Sequence, residues 1–572
     1  MLAQRRPRAL LALLTLAVLL TVTHGEFGDE DTTRRLQVTH WLWTSEPQVS
    51  DEHPLVISAN PTRWNIMARP GFCSLPGKNG EAYAQFSLGQ SLLMLPGDIL
   101  GRLVTGKLDS EFVLDDGLWS ISAQETIVNF TTFYSVDALA IILSFELLLL
   151  LGFSQAQALA ASALLLVAST FLVYMADVAE TNQIYCCFVG ALAFALKARR
   201  GRFGRNCAIA GAFLGFSALM KLPNLVFLPA ILLVFLFCGE GERSWSQRLR
   251  WALSREAGRG LICFLAPLCG FLLVDRFYQY YRFGDWFGTY MKPCAEAYAA
   301  AGGYPPGYPF GYDRIAGALG PFLSADRSLF LFEPFLIFTI PCIALCWKRL
   351  PLAQRLAIAS AVVALLGLAL VYGGTYYWNG GAGSWGPRHH LPPAQALCLI
   401  GFALAAEKFS SLGALGKSFV LLSLGVAIGS QTLALLYSPL LENQEYFLDD
   451  PLRLVPLMRL RNACYLVNGS LLPHAETFNS PELSSWAKMA DLYSPSILWF
   501  WLARAASAKD ALLAGAILSA WALLGLAVAF ATALLVVVGF RPAGGASIFA
   551  AARPTLSGRE ASLHPDVSRR KD

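Results

Sequence analysis

Long apolar runs recur along the chain, separated by polar stretches of very uneven length. The first spans Ala9 to Val22 and comes after Arg5, Arg6 and Arg8. Others lie at about 126–151, 156–175, 183–197, 207–220, 222–238, 260–275, 329–347, 355–372, 391–406, 418–438 and 511–538. Crossing a bilayer as an α-helix takes ~20 such residues. The pattern predicts an all-α integral membrane protein with about twelve transmembrane helices and large extracytoplasmic loops.

The start reads either as a signal anchor or as a secretory signal peptide, with "THG" at 23–25 as a cleavage point. An uncleaved first helix over 1–25 is the favoured reading, and both readings place the residues after Gly25 outside the cytoplasm. Alternating from a cytoplasmic N-terminus tests the pattern. It puts "KARRGRFGR" (197–205), the arginines at 243, 248, 250, 255 and 259, Lys348, Arg349, Arg355, Lys408, Lys417 and the tail on one side. Cytoplasmic loops carry such an excess of Lys and Arg. Three long segments then lie outside: 24–125, 276–328 and 439–510. The expected organisation is a catalytic membrane domain over 26–438 with its first external loop at 26–125. After it come an external loop of unassigned role (439–510), a last span (511–540) and a disordered cytoplasmic tail (541–572).

Composition agrees with this reading. Of 572 residues, 55% are hydrophobic and only 15% charged, where soluble domains carry about 25% charged. Mean hydropathy is +0.49. The net charge of +5 is accounted for by basic cytoplasmic loops and gives no reason to expect nucleic-acid binding. Most cysteines fall in the predicted spans, where they act as small apolar residues. Cys73, Cys294 and Cys464 are external, and sequence alone does not say whether any two are bridged. N-x-S/T sequons occur at Asn129 and Asn468.

Candidate chemistry clusters on the external rim. "GEFGDEDTTRRL" (25–36) sets Asp29, Glu30 and Asp31 just beyond the first helix. Carboxylates there suit a general base or ligands for a hard cation, or a solvated acidic turn. In "ADVAETNQ" (176–183), Asp177 and Glu180 share a face if helical and suit an acceptor or a metal. Asp137 and Glu146 lie nine residues apart on one helix, on roughly opposite faces. Lys221, in the tight turn "ALMKLPN", meets an anionic head group or snorkels to the interface. "GGTYYWNGGAGSWGPRHH" (373–390) puts Arg388 at the mouth of a span, framed by glycines that let backbone approach a ligand closely. Its planar fork suits phosphate. His389 and His390 beside it read as structural rather than as metal ligands. The segment 77–104 reads as an amphipathic element lying at the interface.

These residues also carry a resemblance. "GDE…RL" after the first helix, "NGEAYAQFSLGQSLLMLP" (79–96), "YYRFGD" (280–285), "FLSADRSLFLFEP" (322–334) and "WNGGAGSWGPRHHLP" (378–392) resemble, in order, landmarks of the polytopic glycosyltransferases of the GT-C type. The resemblance implies a sugar donor carried on polyprenyl phosphate, an external active site and an extracytoplasmic acceptor that is a glycan, a lipid or a protein. It implies Asp29 or Glu30 as the catalytic acid–base position. It implies Arg388 as the basic residue near the lipid phosphate, and Lys221, Asp177, Glu180 and Tyr83 are further candidate substrate contacts. The motifs demand no cofactor, and Mg²⁺ or Mn²⁺ on Asp29 and Glu30 is the one option left open. Two departures stand out: His389 and His390 come after "GPR" where Tyr or Phe and then Leu are usual, and "AQFSLGQ" replaces a Lys-Pro-Pro segment. The missing lysine leaves Lys78 or Lys221 as substitutes. An Ala- and Arg-rich chain of this kind reads as a bacterial inner-membrane protein. The competing readings are a transporter or flippase of a lipid-linked sugar, expected to show internal repeats, and a non-catalytic envelope scaffold.

Overall fold

All twelve apolar runs fold as helix in the computed structural model. It describes residues 2–25, 27, 30–49, 74–106, 112–115, 120–238, 244–301, 305, 307–381, 384–436, 442, 454–467, 497–507 and 510–541. Among the described residues, six helices are long and apolar enough to cross a membrane: Ala123–Leu150, Phe203–Met220, Arg255–Phe283, Leu352–Tyr372, Ala414–Ala434 and Ala511–Gly539. Gln155–Ala168 and Leu222–Phe237 are apolar but shorter. A count of twelve full spans is therefore not confirmed.

Two of the expected spans are broken. The 156–175 run divides into Gln155–Ala168 and Phe171–Ala176, because Ser169 is extended. The 329–347 run divides into Leu329–Phe332 and Leu336–Cys346 around Pro334, which has no amide hydrogen to donate. The breaks are stitched to each other. A Glu333 carboxylate oxygen accepts from the Thr170 amide at 2.9 Å and from its hydroxyl. Gln395 adds a bond to that hydroxyl at 3.0 Å. A backbone opened inside a bilayer must find such partners within the protein.

The Gln155–Ala168, Thr181–Ala198 and Leu391–Lys408 helices are buried along nearly their whole length and form the centre of the bundle. Arg255–Phe283 and Ala511–Gly539 ring it, leaving Ile262, Leu273, Leu523 and Phe530 at least two-thirds exposed, as a lipid-facing surface requires. Helices pack closely where glycine permits. A Cβ on Gly211 would stand 1.8 Å from the Phe264 carbonyl oxygen, the small-residue contact common between membrane helices.

The external segments hold regular structure. Strands Ser74–Pro76 and Ala82–Ala84 pair antiparallel, Leu75 opposite Tyr83. Helix Gly89–Thr105 comes next, with Leu100, Leu103 and Val104 exposed, as expected of an interfacial element. The Arg255–Phe283 helix runs eight residues past the predicted boundary, so "FYQYYRF" is helical and Gly284 ends it with φ 72°. Helices Val455–Val467 and Leu498–Ser507 lie within 439–510. Of the external cysteines, Cys294 and Cys464 are free thiols, and Cys73 lies outside the described residues. Asn129 is buried in a π-helical turn, where no glycan fits. Asn468 is likewise outside the described residues.

Candidate functional site

Four chain segments meet at one end of the bundle: the start of the Glu30–Trp41 helix, the 177–181 turn, the Met220–Leu222 break and the 373–390 loop. The first two are clamped together. Val178 donates its amide to the Phe27 carbonyl at 3.0 Å, and the Thr32 hydroxyl donates to the Val178 carbonyl at 2.7 Å. Helix Phe203–Met220 then ends with Lys221 in an extended conformation, aimed across the turn.

Glu180 is the hub. Lys221 reaches one carboxylate oxygen at 2.5 Å and Arg35 the other at 3.2 Å. Arg35 stands one helical turn beyond Asp31 and lies over the Phe86 ring at 4.3 Å. Asp31 is 3.5 Å from the Arg388 guanidinium. Lys221 also meets Nδ1 of His389 at 3.1 Å. An ammonium only donates, so Nδ1 accepts and the His389 proton sits on Nε2. The His389 ring stacks on Tyr372, centroids 4.4 Å apart. Lys221 is thus turned inward and does not snorkel.

The glycines of the 373–390 loop explain how Arg388 gets there. Gly380 and Gly386 have φ 93° and 81°, a region L side chains rarely adopt. A Cβ on Gly380 would stand 2.8 Å from the Arg388 amide, and one on Gly386 would strike the Phe332 ring at 2.8 Å. The folded loop is then pinned. Tyr174 donates to the Trp385 carbonyl at 3.0 Å, Arg327 donates to the Ser384 carbonyl, and Trp385 donates to Gln431 at 3.2 Å.

Among the described residues, three cations (Arg35, Lys221, Arg388) contact two carboxylates (Asp31, Glu180) here. Burial pushes the Glu180 carboxyl up, but Lys221, Arg35 and Arg388 outweigh it and hold it well below the usual range. Burial, aided by Arg388 and Arg35 against Glu180, lowers Lys221. Burial and then Lys221 and Arg388 hold His389 well below its ordinary value, so it stays neutral. A partly buried, pre-organised group of cations of this kind is suited to a phosphate oxyanion.

The predicted residues distribute unevenly. Glu180, Lys221 and Arg388 come together. Asp177 lies in the same turn, capping the Phe171–Ala176 helix. Tyr83 is buried in the 74–84 hairpin, where its hydroxyl donates to Glu81 at 2.9 Å. It packs against Tyr281 and Phe283 and belongs to a neighbouring layer. Asp29 and the Glu30 side chain lie outside the described residues. Among the described residues no group of three or more His, Cys, Asp or Glu could hold a metal. Arg35 and the contact between Lys221 and His389 were not legible in the sequence. The spacing of Asp31 and Arg35, one turn apart in "EDTTRR", is the signal that would have found the first.

Residues 119–269 match the family model for dolichyl-phosphate-mannose-protein mannosyltransferases. That stretch, about a quarter of the chain, contains Asp177, Glu180 and Lys221. The likeness to GT-C type membrane glycosyltransferases is supported by this match, which covers a stretch between the quoted motifs. Among solved structures, ArnT from Cupriavidus metallidurans bound to undecaprenyl phosphate is similar at 12% identity and TM-score 0.41. That match covers 93% of this chain and 76% of ArnT. The Archaeoglobus fulgidus oligosaccharyltransferase, in complex with zinc and sulfate, is similar at 14% identity and TM-score 0.37, over 74% of this chain. This chain spans about half of that one, 53%. No curated protein matches in sequence.

Proposed function

We propose that this protein is a membrane glycosyltransferase that moves a sugar from a polyprenyl-phosphate carrier to an acceptor on the extracytoplasmic side of a bacterial inner membrane. The family match supports the transferase class. The observation that carries the donor class is the cluster of Arg35, Lys221 and Arg388 at the helix ends, with Arg388 held 3.5 Å from Asp31 and Lys221 held on Glu180.

That arrangement supports the following reaction. An acceptor hydroxyl attacks the anomeric carbon from the face opposite the phosphate. The bond from that carbon to the phosphate oxygen breaks, and its electron pair stays on the departing lipid phosphate. Asp29, which matches the family's acidic position, or its neighbour Glu30 takes the hydroxyl proton. Asp31 holds Arg388 in place, and Arg388 stabilises the growing phosphate charge by charge-assisted hydrogen bonds. Should Asp29 and Glu30 hold Mg²⁺ or Mn²⁺, the metal would acidify the acceptor hydroxyl. Glu180 keeps Lys221 charged and aimed at the same anion.

The test is mass spectrometry of envelope glycans and lipid-linked sugars in cells that lack the protein or carry wild type, Asp29→Asn, Glu30→Gln or Arg388→Ala at equal expression. Loss of one sugar from a glycan while its polyprenyl-phosphate donor accumulates is the expected outcome. Removing one such electrostatic contact costs about a hundredfold in rate, so Arg388→Ala should lose turnover and retain protein level. Wild-type glycans in all three variants would sink the reading and favour a transporter or scaffold.

A further inference from the structure

Outside the cation cluster, a cavity of about 250 Å³ opens between the 74–84 hairpin, the end of the Arg255–Phe283 helix and the start of the Met291–Ala301 helix. Lys78, Lys292, Asp285, Glu296, Gln279 and the ring of Phe283 line it. We propose that this cavity is a saccharide subsite that holds a sugar ring of the acceptor. The proposal rests on the transferase reading and adds the acceptor class, a glycan.

Size, charge and rigidity carry it. Pockets for drug-sized ligands run to about 300–1,000 Å³, so this cavity suits one ring and is too small for a lipid tail. Lys78 and Lys292 balance Asp285 and Glu296 in formal charge, so the cavity offers a phosphate no net attraction. A neutral, hydroxyl-rich ring can both donate to carboxylates and accept from ammoniums, and Phe283 gives its apolar face a surface. The walls are fixed before any ligand arrives. A Cβ on Gly77 would overlap the Tyr83 ring at 2.1 Å. The Lys78 amide donates to the Arg282 carbonyl at 2.9 Å, and Arg282 is buried, held by the Ala84 and Phe86 carbonyls. Asp285 accepts the Phe287 and Gly288 amides, both at 2.9 Å, which lowers its carboxyl and keeps it charged. Arg276 donates to the Gly288 carbonyl at 2.8 Å.

Tyr290, between the lining residues Thr289 and Lys292 in sequence, feels the charges of Glu180, Arg35 and Asp31.

Lys292 and Glu296 are exposed, so the double variant Lys292→Met/Glu296→Gln is expected to fold. The experiment is saturation-transfer NMR with methyl α-mannoside on full-length protein in lipid nanodiscs, comparing wild type, the double variant and Arg388→Ala, each checked by thermal melting. Wild type and Arg388→Ala should bind the glycoside alike, and the double variant about tenfold more weakly. Loss in Arg388→Ala, equal binding in the double variant, or no binding to wild type would each overturn the subsite. The transferase reading fails separately: wild type that binds the glycoside yet changes no glycan in cells would keep the cavity and remove the reaction.

Discussion

His390 shows what burial does to a single side chain at the site. It lies fully buried against Tyr372, rings 6.0 Å apart and nearly perpendicular. Burial holds its pKa down at about 3, against about 6.5 for a free histidine. Between those values the unfolded chain binds a proton that the folded protein refuses. Stability then rises with pH by about 1.4 kcal/mol per unit from this one group, is fully present above pH ~6.5 and is lost as pH falls below it. His390→Leu should flatten the pH dependence of stability between about pH 4 and 6 by that slope. Denaturant melts of both proteins in the same detergent measure it, and parallel curves would refute a neutral, buried His390. Arg388, two residues earlier, differs in kind. Its worth is in geometry and charge, which is why its alanine variant is expected to cost rate and not fold.

Elements were legible where one property decided them. A run of apolar residues as long as the bilayer is thick has few alternatives to helix, so all twelve runs carry helix, although two are interrupted. The breaks at Ser169–Thr170 and Glu333–Pro334 were not, because each is stabilised by the other across 163 residues. The overshoot of the Arg255–Phe283 helix was hidden for a similar reason. Its aromatic end reads as an interfacial loop, and Arg282 makes it helical by bonding to a hairpin 196 to 198 residues away. The candidate site was half legible. Arg388, Glu180 and Lys221 could be chosen by residue type and position, but their pairing is a tertiary fact. The 439–510 segment had no readable role, yet Arg459 in its Val455–Val467 helix lies over Trp385 at 5.2 Å and pairs with Glu442 at 2.9 Å, both fully buried. It also donates to the Leu433 and Ala434 carbonyls. This segment therefore braces the loop that carries Arg388. Removing one partner of a buried pair costs about 3–5 kcal/mol, whereas replacing both is often neutral. Arg459→Met should lower the melting temperature sharply, and Arg459→Met/Glu442→Gln should recover much of it. Additive losses in the double variant would mean the two residues act independently.

At the scale of the whole molecule, charge and site separate to opposite ends of the bundle, and the connectivity forces this. The Thr181–Ala198 helix leaves Glu180 at one end and arrives at Lys197 at the other, and Phe203–Met220 returns from the basic turn to Lys221. At the far end Glu146 takes both Arg8 at 2.6 Å and Lys197 at 3.2 Å. Arg200 donates to the Leu150 carbonyl, and Arg199 lies 3.4 Å over Trp251. Basic residues thus tie together the ends of several helices on one side, the side the positive-inside rule assigns to the cytoplasm. The cluster of Asp31, Arg35, Glu180, Lys221 and Arg388 gathers on the other. If that assignment holds, Cys464, an exposed free thiol in the 439–510 segment, faces outward. A membrane-impermeant maleimide should label it in intact cells, with the signal reduced in Cys464→Ser. A cysteine introduced as Arg202→Cys, in the basic turn, should react only after the membrane is opened. The reverse pattern would invert the protein. The site would then face the cytoplasm, and an extracytoplasmic acceptor would be out of its reach.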